Sequence, residues 1–416
     1  MHPNDSNITM AVEQIIKQVK DFVGAPIVND ILDIGGIRVA RFMGEFWTSR
    51  QRQGNSLHEI SYRACFKSEL PKFFIGSLTT EGDVVYDPFA GRGTTAIEAA
   101  LLGRKVISND INPLSRILAY PRLSPPDLLE LIERLEKINH SVRKIKTDIN
   151  LSMFYHPRTL EEILKIKKYL EKRKSENRED DLDMWIRMVA TNRLSGHSTG
   201  FFSVYTLPPN QALRPEKQKI INRERNQEPS YRNVKKIIIK KTQSLISEIN
   251  NELFRKLKHI KETASFLTKD SRYTSEISNN SVQLTVTSPP FLDIVQYTED
   301  NWLRCWFNSI DPFEVEKNIT VTNKLEKWKE VIGETLKELY RITKPGGFVA
   351  FEVGEVRKGK IKLDEEVVPL GLEADFKCLG ILVNKQNFTK TSNIWGISNN
   401  KMGTNTNRIV LFTKQK

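Results

Sequence analysis

Short apolar runs, each closed by an acid or a tight turn, alternate along the chain with longer stretches of helical period. Val84-Val85-Tyr86 ends in Asp87, and Val106-Ile107-Ser108-Asn109 ends in Asp110. Ala264 to Thr268 runs up to Asp270, and Val282 to Val286 stops at Thr287-Ser288-Pro289-Pro290-Phe291. Phe348 to Val353 has the same strand character, and Phe376 to Val383 and Arg408 to Phe412 are expected as antiparallel edge strands. Helical spacing marks Met10 to Val23, Ala96 to Leu102, Leu128 to Lys146, Leu160 to Lys172 and Trp328 to Tyr340. One long helix is expected to carry Ile246, Ile249, Leu253, Leu257 and Ile260 on one face. Strands alternating with helices predict an α/β fold, interrupted between its second and third strands by a mainly helical insertion.

Two strand ends carry candidate chemistry. At Ser288-Pro289-Pro290-Phe291 the prolines stop the strand, because proline has no N–H for the sheet ladder. A hydroxyl, rigid carbonyls and an aromatic face then sit where an open α/β sheet binds ligands. An exocyclic amine on a nucleobase is a poor nucleophile, since its lone pair is delocalised. Ser288 and a carbonyl of the Pro-Pro turn can accept its two N–H bonds, and Phe291 can stack the base. Ser124-Pro125-Pro126 is the internal control. It is expected to be a helix start, with the serine near the cap and proline in the first turn. The second strand end is Asp87-Pro88-Phe89-Ala90-Gly91-Arg92-Gly93-Thr94-Thr95. Its glycines allow a tight turn and a close approach to a ligand, and a helix N-terminus follows. Asp110, followed by Asn112, stands where a carboxylate gripping ribose hydroxyls is usual, or is a turn or N-cap aspartate. Asp270 either accepts from an adenine amino group or caps the next turn.

A length of 416 residues suits two domains, or one large domain with an insertion. No apolar run approaches membrane-spanning length. Cys65, Cys305 and Cys378 are far apart, and neither cysteines nor histidines show metal spacing, so a reduced cytoplasmic compartment and no metal are expected. Charge is uneven. Residues 122–262 hold 30 Lys and Arg against 19 Asp and Glu, giving +11 of the net +13. A basic segment beside a base-handling site points to a phosphate-rich partner. Its candidate contacts are Arg193 and His197 in a Gly- and aromatic-rich stretch, and Arg214, Lys217, Arg223, Arg225, Arg232 and Lys235 in the basic run that follows. The bland alternative is a solvated helical subdomain.

In combination and order, the two motifs resemble the S-adenosylmethionine-dependent DNA amino-methyltransferases, most of all the cytosine-N4 type. Asp87 to Thr95 is similar to their cofactor loop and Thr287 to Phe291 to their catalytic motif. The stretch from Phe66 through Pro71 to Ile75 resembles their N-terminal cofactor-binding element. The resemblance implies a Rossmann-like seven-stranded sheet with S-adenosyl-L-methionine held by Phe66, Pro71, Asp87, Pro88, Phe89, Gly91, Gly93, Thr94, Thr95, Asp110, Asn112 and Asp270. Ser288, Pro289, Pro290 and Phe291 would act on the base. Residues 54–121 and 263–416 would be the catalytic domain, 122–262 the DNA-recognition insertion, and 1–53 an N-terminal helical extension. The implied partners are duplex DNA, with the target base flipped out, and a cognate restriction endonuclease in a prokaryotic cytoplasm. Cytosine-C5 chemistry needs a thiolate near a sheet end, and no cysteine here is so placed.

Other readings stay open: an adenine-N6 DNA methyltransferase, an RNA base amino-methyltransferase, and an inactive nucleic-acid-binding protein on the same core. A nicotinamide-dependent oxidoreductase leaves the Ser-Pro-Pro-Phe motif unexplained.

Overall fold

The computed structural model describes residues 28–44, 46, 54–62, 65–140, 147, 149–206, 213–290, 297–319, 324–357, 359–385 and 406–416. The Met10–Val23 helix, Phe291, the 207–210 segment and most of the polar loop at 399–407 lie outside them.

Eleven strands are described: β1 (Val28–Ile34), β2 (Ile37–Gly44), β3 (Val84–Asp87), β4 (Lys105–Asn109), β5 (Ser265–Leu267), β6 (Val282–Thr287), β7 (Thr343–Val353), β8 (Glu355–Val356), β9 (Ile361–Lys362), β10 (Lys377–Lys385) and β11 (Thr406–Thr413). Nine form one sheet in the order β1-β2-β10-β11-β7-β6-β3-β4-β5. β5, β4, β3, β6 and β7 are mutually parallel, and β11 runs antiparallel between β7 and β10. The run from β10 to β5 supplies the seven strands expected of a Rossmann-like sheet.

The other two strands correct the expectation of a helical extension over 1–53. Val28 to Gly44 is a hairpin around Gly35-Gly36, and β2 pairs in parallel with β10. Both glycines have positive φ (59° and 92°), which the tight turn requires and glycine adopts without strain. β10 and β11 are antiparallel as expected but internal, since this hairpin covers the sheet edge they were to form.

Thirteen helices are described. The first three are α1 (Glu69–Leu78), α2 (Thr94–Leu101) and α3 (Pro113–Ala119). The insertion contributes α4 (Leu128–His140), α5 (Pro157–Ser175), α6 (Asp181–Arg193), α7 (Pro215–Glu224), α8 (Val234–Ile246) and α9 (Asn251–Thr263). Then follow α10 (Tyr297–Asn308), α11 (Pro312–Asn318), α12 (Leu325–Ile342) and α13 (Leu363–Glu373). The single long helix expected to close the insertion is two, α8 and α9. Asn250 breaks it, its side chain accepting from Leu253 N at 2.8 Å as an N-cap. The control Ser-Pro-Pro also differs from expectation. Asp127 caps α4 through the N–H groups of Leu129 and Glu130, and Ser124 instead donates to Asp181 at 2.8 Å.

Alternation along the strands builds two cores. Val85, Val106, Leu284, Val286, Ala350 and Leu411 face one side, where α1, α2 and the insertion pack. Tyr86, Val349, Phe351, Val410 and Phe412 face the other, under α12 and α13. Trp185, Ile186 and Ile238 of the insertion are fully buried in the first core. The insertion therefore shares its hydrophobic core with the sheet.

Candidate active site

The strand order reverses at β3, whose neighbours are β4 on one side and β6 on the other. In open α/β sheets the crevice at such a switch point, beyond the carboxyl ends of the strands, is the ligand site. Asp87 ends β3, Asp110 and Ser288 follow the carboxyl ends of the adjacent β4 and β6, and Asp270 lies just past the end of β5.

The turn after β3 is built to be tight. Gly91 (φ +53°) and Gly93 (φ +77°) are left-handed, and Gly93 caps α2. A Cβ on Gly93 would stand 2.4 Å from Ala119 Cβ, so no side chain fits there. Asp110 holds the turn from the next strand. Its Oδ2 accepts from Gly91 N at 2.7 Å and its Oδ1 from Asn112 N at 2.9 Å. Burial pushes its carboxyl up to about 6 against those two bonds. Asn112 caps α3 through Leu114 N and donates to the Tyr62 hydroxyl at 3.4 Å. Tyr62 also lies against Gly91. Arg92 ties the turn to the preceding segment, donating to the Ile60 carbonyl at 2.9 Å and the Thr94 hydroxyl at 3.2 Å. Phe66 and Phe89 are half-buried, while Pro71, Pro88, Thr94 and Thr95 are buried.

The two motifs are joined to each other. Thr287 Oγ1 donates to Asp87 Oδ1 at 2.6 Å, and both side chains are buried. Phe89 N also donates to Asp87 Oδ1, at 3.1 Å. Burial pushes the Asp87 carboxyl up to about 7. The bonds from Thr287, Phe89 and Thr95 oppose that shift, and Asp110 adds to it. Thr95 reaches across as well, donating to the Val286 carbonyl at 3.0 Å. Asp87 is therefore an internal brace between the β3 and β6 ends.

Asp270 has a different set of partners. Arg272 grips it through Nε and Nη2, at 3.0 Å and 2.7 Å, and Arg272 N caps the turn on Oδ1 at 3.0 Å. Burial opposes ionisation, but these bonds outweigh it and hold the carboxyl below its usual range. This geometry is the turn-capping alternative.

Around Ser288, two partners escaped the sequence reading. Trp328 Nε1 donates to the Pro290 carbonyl at 2.9 Å, which fixes the turn. Glu352, on β7, accepts from the Ser288 hydroxyl and from Asn407. Thr287 pairs with Phe351 in register, so Ser288 and Glu352 are the next rung. Glu352 is 5% exposed, and burial pushes its carboxyl up to about 7 against those two hydrogen bonds. A charged residue inside the apolar run Phe348 to Val353 was the available signal.

Of the basic candidates, three are buried or half-buried. Arg193 is buried over the Phe201 ring at 4.0 Å, and burial, with Arg304 nearby, pushes it down to about 10. Arg232 donates to the carbonyls of Ser198 and Phe201, and Lys235 pairs with Glu136 at 2.8 Å. His197, Arg214, Lys217, Arg223 and Arg225 are exposed, with Arg214 paired to Glu299 and Arg225 over Tyr205 at 3.8 Å.

The DNA methylase family model (N6_N4_Mtase) matches residues 35–116, from β2 through the glycine turn into α3. The type II methyltransferase M.BsoBI of Geobacillus stearothermophilus is 25% identical over 306 residues, covering 65% of this chain and 58% of that protein. The orphan methyltransferase M.BamHII of Bacillus amyloliquefaciens is 44% identical over 73 residues, 17% of this chain and 28% of that protein. The chain thus spans little more than half the length of the first relative. Among solved structures, a SAM-dependent methyltransferase of Methanosarcina mazei aligns over 82% of this chain and 97% of that one, at 10% identity and TM-score 0.32. By the family match and the curated relatives, the chain is similar to DNA amino-methyltransferases, N4 and N6 types together.

Proposed function

We propose that the chain transfers a methyl group from S-adenosyl-L-methionine to the exocyclic amine of a base in duplex DNA, with the N4 amine of cytosine as target. The observation that carries this reading is the brace between the motifs: Thr287 bonds Asp87, so the cofactor turn and the Ser-Pro-Pro turn share one floor. The cradle suits the donor. Gly91 and Gly93 bring backbone close, and Asp110 keeps a free lone pair on each oxygen for ribose hydroxyls.

The donor supplies an already activated methyl group, so the protein's part is to bind, orient and exclude water. Ser288 and a carbonyl of the Pro-Pro turn accept the amine's N–H bonds and draw the nitrogen toward tetrahedral geometry. Trp328 keeps the turn rigid while they do so. The exposed cations Lys217, Arg223 and Arg225 would meet DNA phosphates. A role in restriction-modification, with a cognate endonuclease, accords with the type II relative. The serine before Pro-Pro favours cytosine N4 over adenine N6. The direct test is transfer of labelled methyl from S-adenosyl-L-methionine to unmethylated duplex DNA, with folded RNA as the competing acceptor. Label in DNA alone supports the reading, and label in RNA alone overturns the substrate assignment.

A further inference from the structure

Glu352 is an unusual side chain for its place. It lies inside an apolar strand, fully within the sheet, with Phe351 and Val353 buried beside it. Burying a carboxylate in such surroundings is costly unless it is well satisfied. Its two hydrogen bonds come from Ser288 on the β6 side and Asn407 on the β11 side. No cation among the described residues contributes to holding its charge. The carboxylates beyond the strand end, Glu355 and Asp364, are both taken by Arg408. Asp87 on β3 is bound by Thr287.

A serine hydroxyl has one proton and two lone pairs. A carboxylate behind Ser288 commits that proton away from the substrate and turns the lone pairs toward it. We propose that Glu352 is a positioning residue for methyl transfer, acting through Ser288 as the sink for the proton that the amine must lose. The inference rests on the methyltransferase reading above.

The step balances. The amine lone pair forms the new bond to the methyl carbon as the carbon–sulfur bond breaks, and that bond's electron pair stays on sulfur. The alkylated nitrogen then carries the positive charge. One of its N–H protons passes to Ser288 Oγ as the Ser288 proton passes to Glu352, leaving a neutral amine, a serine hydroxyl and a protonated Glu352. Solvent later takes that proton. Serine and glutamate together thus supply the negative charge that an aspartate before Pro-Pro would carry alone.

The test is single-turnover methyl transfer by the full chain into duplex DNA between pH 5.5 and 9, with cofactor affinity measured by calorimetry. The wild-type rate should fall about tenfold per pH unit below pH ~7, where Glu352 takes up a proton. Glu352→Gln keeps the shape and an acceptor but removes the charge. Its rate should drop roughly 100-fold and lose the acid limb, with cofactor affinity and melting temperature unchanged. Ser288→Asp in the Glu352→Gln background puts a carboxylate on the amine directly and should recover at least about tenfold of that loss. A Glu352→Gln chain with wild-type rate, or one that keeps the limb, overturns the proposal and assigns the limb to Asp87 or Asp110. Failure of the double variant to recover rate overturns it too. No transfer by the wild-type chain to any base would bring down the functional reading itself, a distinguishable result.

Discussion

Thr287→Val isolates the bond between the two motifs. Valine matches threonine in shape, so what is removed is one donor to a buried carboxylate. The Thr287–Asp87 bond is 2.6 Å long, and neither partner is solvent-exposed. A hydrogen bond to a charged group contributes about 1.5–3 kcal/mol. The neutral carboxyl keeps about 1 kcal/mol of that bond, so the remaining ~0.5–2 kcal/mol, at about 1.4 kcal/mol per unit, should raise Asp87 by about half to one and a half further units. Asp87 already sits near 7, because burial favours its neutral form. A carboxyl raised by folding makes the native state bind the extra proton. Stability from this group is therefore fully present below the ordinary carboxylate range and falls as pH rises toward 7. In the variant that fall continues to about pH 8. Urea unfolding at pH 6 should show a loss near 1 kcal/mol, the share of a neutral hydrogen bond. At pH 9 the loss should reach about 2–3 kcal/mol. The same loss at both pH values would sink this explanation, since Asp87 would then not be the group that Thr287 serves.

Ser288→Ala should lower kcat roughly 100-fold or more, as loss of a preorganised acceptor does, while calorimetric cofactor affinity stays near wild type. Equal loss of both would place the chemistry elsewhere. Gly93→Ala forces a Cβ to 2.4 Å from Ala119 Cβ at a positive φ. It should cost about 2–4 kcal/mol in chemical denaturation and abolish detectable cofactor binding; a stable, binding-competent variant would contradict the turn geometry. Replacing Lys217, Arg223 and Arg225 by glutamine should weaken DNA binding evenly across sequences. It should also reduce the salt slope by about one for each phosphate no longer neutralised, and an unchanged slope would move the DNA surface off α7.

Much of the sheet was legible because its strands carry period-two alternation and end in acids or prolines. Asp87, Gly91, Gly93, Asp110 and Ser288 fall at adjacent strand ends, where the motifs placed them. The hairpin at 28–44 was missed although Leu32 and Ile34 before Gly35-Gly36, and Ile37 and Val39 after it, alternate, because a helical period upstream dominated that region. Asn250 inside an apolar stripe at helix spacing hid the break between α8 and α9, since capping overrides periodicity only locally. Glu352 and Trp328 lie about 60 and 40 residues from Ser288, a separation that motif reading does not bridge. Only strand register and a folded helix bring them to the Ser-Pro-Pro turn. Charge density found the basic insertion but not which cations are spent inside it, as Arg193 and Arg232 are.

Whether an amine is methylated at the Ser288 turn is decided by nucleoside analysis of duplex DNA after incubation with the full chain and S-adenosyl-L-methionine. N4-methylcytosine is the expected product, and it should be absent with Ser288→Ala. N6-methyladenine would keep the chemistry and contradict the base assignment. Unmodified DNA would contradict methyl transfer to a DNA amine altogether.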